Sequence, residues 1–146
     1  MMKKVSAWAL KKSPWIYRLN SGACNACDIE VIAALTPRFD PERFGCLLKA
    51  SPRHADVLVI TGPVTMQISD RFKRVYDQVP DPKVVVAVGS CCLTQGVYEG
   101  SYSIVGPVDK VIPTDVMVPG CPPRPQAILD GLLRSFSILQ EKRSRS

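Results

Sequence analysis

Short runs of uninterrupted apolar residues alternate along this chain with stripes of helical spacing. Val57-Leu58-Val59-Ile60 and Val84-Val85-Val86-Ala87-Val88 are apolar throughout, the pattern of strands covered on both faces. Trp15-Ile16-Tyr17-Arg18-Leu19 predicts a first strand, residues 44–48 a second, and Val116-Met117-Val118 a short last one. After the first strand, a Gly-containing turn leads into a helix carrying Ile29, Ile32 and Leu35. Ile68, Phe72, Val75 and Val79 share one face of a further helix, with Asp70, Arg71, Lys73, Arg74 and Asp77 elsewhere. Pro80 and Pro82 end it. A last helix is expected from about Pro123, turning Ile128, Leu129, Leu132, Leu133, Phe136 and Leu139 inward. Buried strands alternating with amphipathic helices predict a flavodoxin-like, doubly wound α/β domain with a parallel sheet.

Length and composition fit one such domain. The chain has 146 residues, 46% hydrophobic and 22% charged, and this length buries roughly 68–70% of the unfolded surface without disulfide support. Residues 14–141 are expected to form the domain. Residues 1–13 read as an arm or a short basic amphipathic helix, with Val5, Trp8 and Leu10 set among lysines and suited to lipid headgroups or another subunit. Residues 142–146 read as a basic, solvated tail. No run approaches the ~20 apolar residues of a membrane span. The apolar start stops at Lys11-Lys12 with no cleavage site, which predicts no export signal and a reducing cytosol. The net charge of +6 is spread out, and no basic stripe with interleaved aromatics argues for nucleic acid.

The cysteines change this bland picture. There are six, at 24, 27, 46, 91, 92 and 121; in a reducing compartment they suggest metal or redox chemistry rather than bridges. Cys24 and Cys27 follow the first predicted strand, Cys91 the 84–88 strand and Cys121 the 116–118 strand. In a parallel sheet these loops share the carboxyl edge, where α/β folds place their ligand crevices. Four soft thiolates at one point suit zinc or an iron–sulfur cluster. Structural zinc usually takes two close pairs, whereas one pair joined by two distant singles leans toward a cluster. A thioredoxin-type dithiol at Cys24-x-x-Cys27 would leave Cys91 and Cys121 unexplained. Small residues around the first pair free the backbone to aim N–H groups at sulfur. The tight Gly89-Ser90 turn favours Cys91 over Cys92, and Cys46 reads as an inert core thiol.

At these residues the chain resembles a known family. The blocks are Cys24-Asn25-Ala26-Cys27-Asp28-Ile29-Glu30, Arg38-Phe39-Asp40 with Arg43-Phe44-Gly45, and Ser51-Pro52-Arg53-His54-Ala55-Asp56. Further on come Thr61-Gly62-Pro63, Gly89-Ser90-Cys91, Ser101-Tyr102-Ser103 and Val118-Pro119-Gly120-Cys121-Pro122-Pro123-Arg124-Pro125. Over residues 14–140 the chain resembles the small subunit of energy-converting, membrane-bound [NiFe] hydrogenases of group 4. It is also similar to the subunit of respiratory complex I that carries the last cluster before quinone.

The resemblance implies one [4Fe–4S] cluster held by Cys24, Cys27, Cys91 and Cys121, in a subunit that relays electrons from a ferredoxin-like polyferredoxin partner to a nickel–iron site in a large subunit. Proton reduction there would be coupled to ion-translocating membrane subunits, with this chain peripheral on the cytoplasmic face. Cys-x-x-Cys followed by Asp-Ile-Glu resembles the hydrogenases, because complex I subunits carry adjacent cysteines at this site. Sulfur-reducing complexes look similar here too. Glu30, three residues beyond Cys27, is a candidate for proton transfer, set against a plain helical acid near the helix start. His54 is expected to serve structure or an interface, and Arg53 and Arg124 are candidates for contacts around the cluster or between subunits.

Overall fold

The computed structural model describes residues 13–145. The arm or helix expected over residues 1–13 falls almost wholly outside the described residues. Five strands form one parallel sheet: β1 (Trp15–Asn20), β2 (Leu47–Leu48), β3 (Val57–Thr61), β5 (Val84–Val88) and β7 (Val116–Val118). Their spatial order is β2-β1-β3-β5-β7, which is the doubly wound order of flavodoxin-like folds. The sequence grows outward in opposite directions from β1 and β3, so the topological switch lies between them. The fold class expected from the pattern is the one observed. A two-residue strand β4 (Val64–Thr65) pairs antiparallel with β6 (Ile104–Gly106), a small ribbon that the pattern did not predict.

Period-two alternation builds two cores. On one face, Val57 and Val59 of β3 and Val84, Val86 and Val88 of β5 pack beneath α1 (Ala26–Ala34) and α4 (Pro125–Arg145). On the other, Leu58, Ile60, Val85 and Ala87 meet Phe72 of α2 (Ser69–Gln78) and Cys92 of the short α3 (Ser90–Thr94). Gly131 of α4 faces β7 so closely that an added Cβ would stand 2.5 Å from Val118 Cγ2, so only glycine allows this helix to lie so flat on the sheet.

Four readings from the pattern are corrected. Ile29 and Ile32 do not line the buried face of α1; they are 60% and 51% exposed, and Cys27, Asp28, Val31 and Ala34 turn inward instead. Small side chains and one paired carboxylate bring α1 close to the sheet, leaving the isoleucines outside. Phe44 belongs to a 3-10 turn (Pro41–Phe44) rather than to the second strand. Leu133 is exposed on the last helix, whose start at Pro125 agrees with the expected start near Pro123. The basic end is not free in solvent: α4 runs through Arg145, with Arg143 paired to Asp56 at 2.5 Å and Lys142 to Asp115 at 2.6 Å.

Candidate metal centre

Three loops leave the carboxyl edge of the sheet and carry cysteines. The first runs from Asn20 at the end of β1 to Cys27 in the first turn of α1. Asn20 Oδ1 accepts hydrogen bonds from the N–H groups of Gly22 and Ala23, both at 2.9 Å. These two donors therefore serve the loop itself. The Ser21 N–H donates to the Thr61 carbonyl, and Ser21 Oγ lies within reach of the Thr61 and Gly62 carbonyls. Gly62, at φ +83, permits the approach: an added Cβ would stand 2.2 Å from Ala23 N.

The second and third loops are tied to each other. The Gly89 N–H donates to the Val118 carbonyl and the Ser90 N–H to the Gly120 carbonyl, at 2.9 and 2.8 Å. Gly89, at φ +99, faces the first loop; an added Cβ would sit 2.5 Å from Cys27 Sγ. The backbone between β5 and α3 thus passes directly against the thiol of α1, a cradle that any side chain would fill.

Cys24, Cys27, Cys91 and Cys121 meet where these loops converge. Cys24 and Cys121 are exposed, Cys91 is half-buried and Cys27 is buried. Burial first, then the neighbouring Cys24, Cys91 and Cys121, and last Asp28, push the Cys27 thiol up to about 11. Burial raises Cys91 as well, with Cys121 and Cys24 next in effect, and a backbone hydrogen bond opposes them. Cys27 and Cys91 therefore both resist ionisation, in part because the other thiols stand near them. A bound metal centre reverses that preference, because a coordinating thiol is deprotonated outright. No three His, Cys, Asp or Glu side chains among the described residues are gathered into an ion-sized set. The donor set of four thiols and the glycine-lined cradle fit an iron–sulfur group.

The remaining sequence candidates divide. Cys92 points away into the other core, where its Sγ lies 3.2 Å from the Gly62 carbonyl and 3.1 Å from that of Val88. Cys46 is 1% exposed in the core beneath α4. Glu30 is half-buried on α1 and has no hydrogen bond or ion pair among the described residues. Arg124 is exposed just before α4, three residues from Cys121. Arg53 and His54 precede β3 and so lie at the opposite, amino edge of the sheet. There the His54 ring meets Trp15 edge-on, 6.4 Å between centroids. A role for Arg53 beside the cysteines is thereby corrected, because the length of β3 separates them.

One feature escaped the sequence reading. Asp28, next to Cys27, is 1% exposed and ionically paired with Arg18 at 2.8 Å. It also accepts hydrogen bonds from Thr61 Oγ1 at 2.8 Å and from Asn20 Nδ2. A polar Arg18 and Asn20 in an otherwise apolar strand were the available signal.

A flavodoxin-like sheet with four cysteines in the loops at its carboxyl edge is an arrangement suited to a subunit of an oxidoreductase. The model of the NADH ubiquinone oxidoreductase 20 kDa subunit family matches residues 24–135, and the chain belongs to this family of oxidoreductase subunits. It is 58% identical over 128 residues to a "Probable membrane-bound hydrogenase subunit" of Pyrococcus furiosus, covering 88% of this chain and 77% of the relative. It is 48% identical over 141 residues to an NADH-quinone oxidoreductase subunit of Heliobacterium modesticaldum, covering 95% and 78%. Among solved structures, a subunit of an archaeal membrane-bound sulfane sulfur reductase superposes with a TM-score of 0.80 at 40% identity, covering 94% of this chain and 76% of that one. No helix among the described residues is long and apolar enough to cross a membrane.

Proposed function

We propose that this chain is the electron-relay subunit of a ferredoxin-dependent, hydrogen-evolving membrane-bound [NiFe] hydrogenase complex. The observation that carries the reading is the convergence of Cys24, Cys27, Cys91 and Cys121 from three loops at the switch-point edge. In this reading the four thiolates hold one [4Fe–4S] cluster. When bound, that cluster supplies a one-electron relay between a polyferredoxin partner and the nickel–iron large subunit.

The chain's own residues do the rest. Cys27 and Cys91 sit in partly desolvated surroundings that keep water off the sulfurs, a setting that tunes reduction potential. Cys24 and Cys121 stand at the exposed rim, where partner subunits approach. Ile29 and Ile32, exposed on α1 just beyond Cys27, add an apolar surface beside that rim. Glu30 lies one turn past Cys27 and offers a carboxylate that takes up and releases a proton toward the large subunit. Membrane subunits would hold the chain on the cytoplasmic face and translocate ions.

The Cys-x-x-Cys spacing and the 58% identity to a hydrogenase subunit favour hydrogen evolution. A sulfur-reducing complex is the second reading, favoured by the superposition onto the sulfane sulfur reductase subunit. The test is the anaerobically purified complex, assayed for iron, acid-labile sulfide and zinc, with electron paramagnetic resonance on the reduced sample. Hydrogen evolution from reduced ferredoxin is measured alongside. Cys27→Ser and Cys121→Ser should each abolish the cluster signal and hydrogen evolution, and Glu30→Gln should slow evolution while leaving the signal intact. Zinc in place of iron, or wild-type turnover in either cysteine variant, would overturn the cluster assignment. Sulfur reduction without hydrogen evolution would select the second reading.

A further inference from the structure

Asn20 ends β1 and Thr61 ends β3, and the two are paired in register across the switch point. The Asp28 carboxylate closes this junction from above. Its Oδ1 receives Thr61 Oγ1 and the Arg18 guanidinium, each at 2.8 Å, and its Oδ2 receives Asn20 Nδ2. An ionised carboxylate only accepts, whereas an amide has one accepting and one donating end. Asp28 thus dictates which way the Asn20 amide faces. With its NH2 group on Asp28, the Asn20 oxygen must face the loop, where it takes the Gly22 and Ala23 N–H groups.

We propose that Asp28 is a positioning residue for the first cysteine pair, acting through the Asn20 amide to hold the Gly22–Ala23 backbone and so the placement of Cys24 and Cys27. The inference rests on the reading of these two cysteines as cluster ligands. Buried charge-assisted hydrogen bonds are among the stronger ones, and Arg18 balances the charge that makes them. In Asp28→Asn, one amide must replace a group that only accepts. Either its NH2 confronts the Asn20 NH2, or it confronts the Arg18 guanidinium, while the Thr61 hydroxyl turns to accept. Turning Asn20 to relieve the first conflict moves the clash to Gly22 and Ala23, where donors would face donors. The first orientation carries the disturbance to the ligand loop, whereas the second leaves the Asn20 link intact and stops at Arg18.

The experiment compares wild type, Asp28→Leu, whose side chain offers Asn20 no acceptor in any orientation, and Asn20→Ala in the full purified complex. Asn20→Ala leaves the Asp28–Arg18 pair in place and removes only the link to the loop, so it carries the test if Asp28→Leu does not assemble. Amide hydrogen exchange is followed at Gly22 and Ala23 before and after iron removal, with β5 as internal reference. Iron content and the paramagnetic spectrum of the reduced complex are recorded beside it. Exchange at Gly22 and Ala23 should quicken by about tenfold or more, with β5 protection unchanged, and the spectrum of the retained cluster should shift. Unchanged exchange at these two amides, or an equal loss of protection in β5, overturns the proposal. An unchanged spectrum despite quickened exchange overturns it as well. Zinc or no iron in the wild-type complex instead removes the reading of the cysteines, and the exchange measurement still tests the Asp28–Asn20 link.

Discussion

Ser90 and Gly120 are joined in both directions. Ser90 N–H and Oγ both reach the Gly120 carbonyl, at 2.8 and 3.2 Å, while the Gly120 N–H reaches Ser90 Oγ at 3.3 Å. Cys91 and Cys121 directly follow these two residues, so the clasp fixes the distance between two thiols 30 positions apart. Ser90→Ala keeps the backbone bond and loses the hydroxyl. We expect about 1 kcal/mol of lost stability, seen as a few degrees in Tm. Cluster loading should fall more than this modest loss explains, as measured by iron per chain.

Gly89→Ala should be far more severe. At φ +99 an L-residue is strained, and its Cβ would lie 2.5 Å from Cys27 Sγ. The expected outcome is a complex with little or no cluster signal and a folded sheet by circular dichroism. Ala at Gly100, also at positive φ but with open space around it, should retain the signal and controls for backbone strain alone.

Cys46 gives a pH prediction independent of the cluster. Burial, then the charge of Glu42, push its thiol from the ordinary value of 9.0 up to about 12. The folded chain therefore holds a proton that the unfolded chain releases between these values. Its contribution is constant below pH 9 and is lost as pH rises toward 12, at up to about 1.4 kcal/mol per unit. Urea unfolding of the metal-free chain from about pH 8 to 11 should show this fall, and Cys46→Ala should make it shallower, leaving the shares of Cys27 and Cys92, which burial also raises. An equal slope in both proteins would refute the assignment.

The clasp at the amino edge should affect stability without touching the cluster. Asp56 accepts the Trp15 N–H at 3.0 Å through Oδ2 and the Arg143 guanidinium at 2.5 Å through Oδ1. Both charged side chains are mostly buried, so Asp56→Ala strands the Trp15 amide and takes one ionic partner from the Arg143 guanidinium. We expect about 2–4 kcal/mol of destabilisation, measured by denaturant midpoint. The paramagnetic spectrum of the folded fraction should match wild type.

How far the fold could be read in the chain depends on what each residue faces. The strands β3 and β5 were legible because nearly the whole of each is apolar, and the α2 face because Phe72 and Val79 recur at helical spacing. The α1 face misled because apolar size is a poor guide where a helix docks closely. Cys27, Val31 and Ala34 fit against the sheet, and Asp28 enters with its partners supplied by β1 and β3. Those partners are 8, 10 and 33 residues away in sequence, beyond any local pattern. The end of α4 misled for the same reason: Asp56 and Asp115, its counter-charges, lie 87 and 27 residues upstream of their partners. The four cysteines were legible as a group because strand ends in a parallel sheet share an edge, whereas their individual burial was not.

The strand order has a consequence for how the subunit is made. β7, which leads into Cys121, is the far edge strand, joined to β1 only through β3 and β5. A nascent chain still short of residue 121 presents at most three of the four thiols. The set closes only when the last strand has docked and α4 has sealed one face. All four thiols are therefore in place together only on a completed sheet, and a subunit truncated ahead of β7 lacks the fourth.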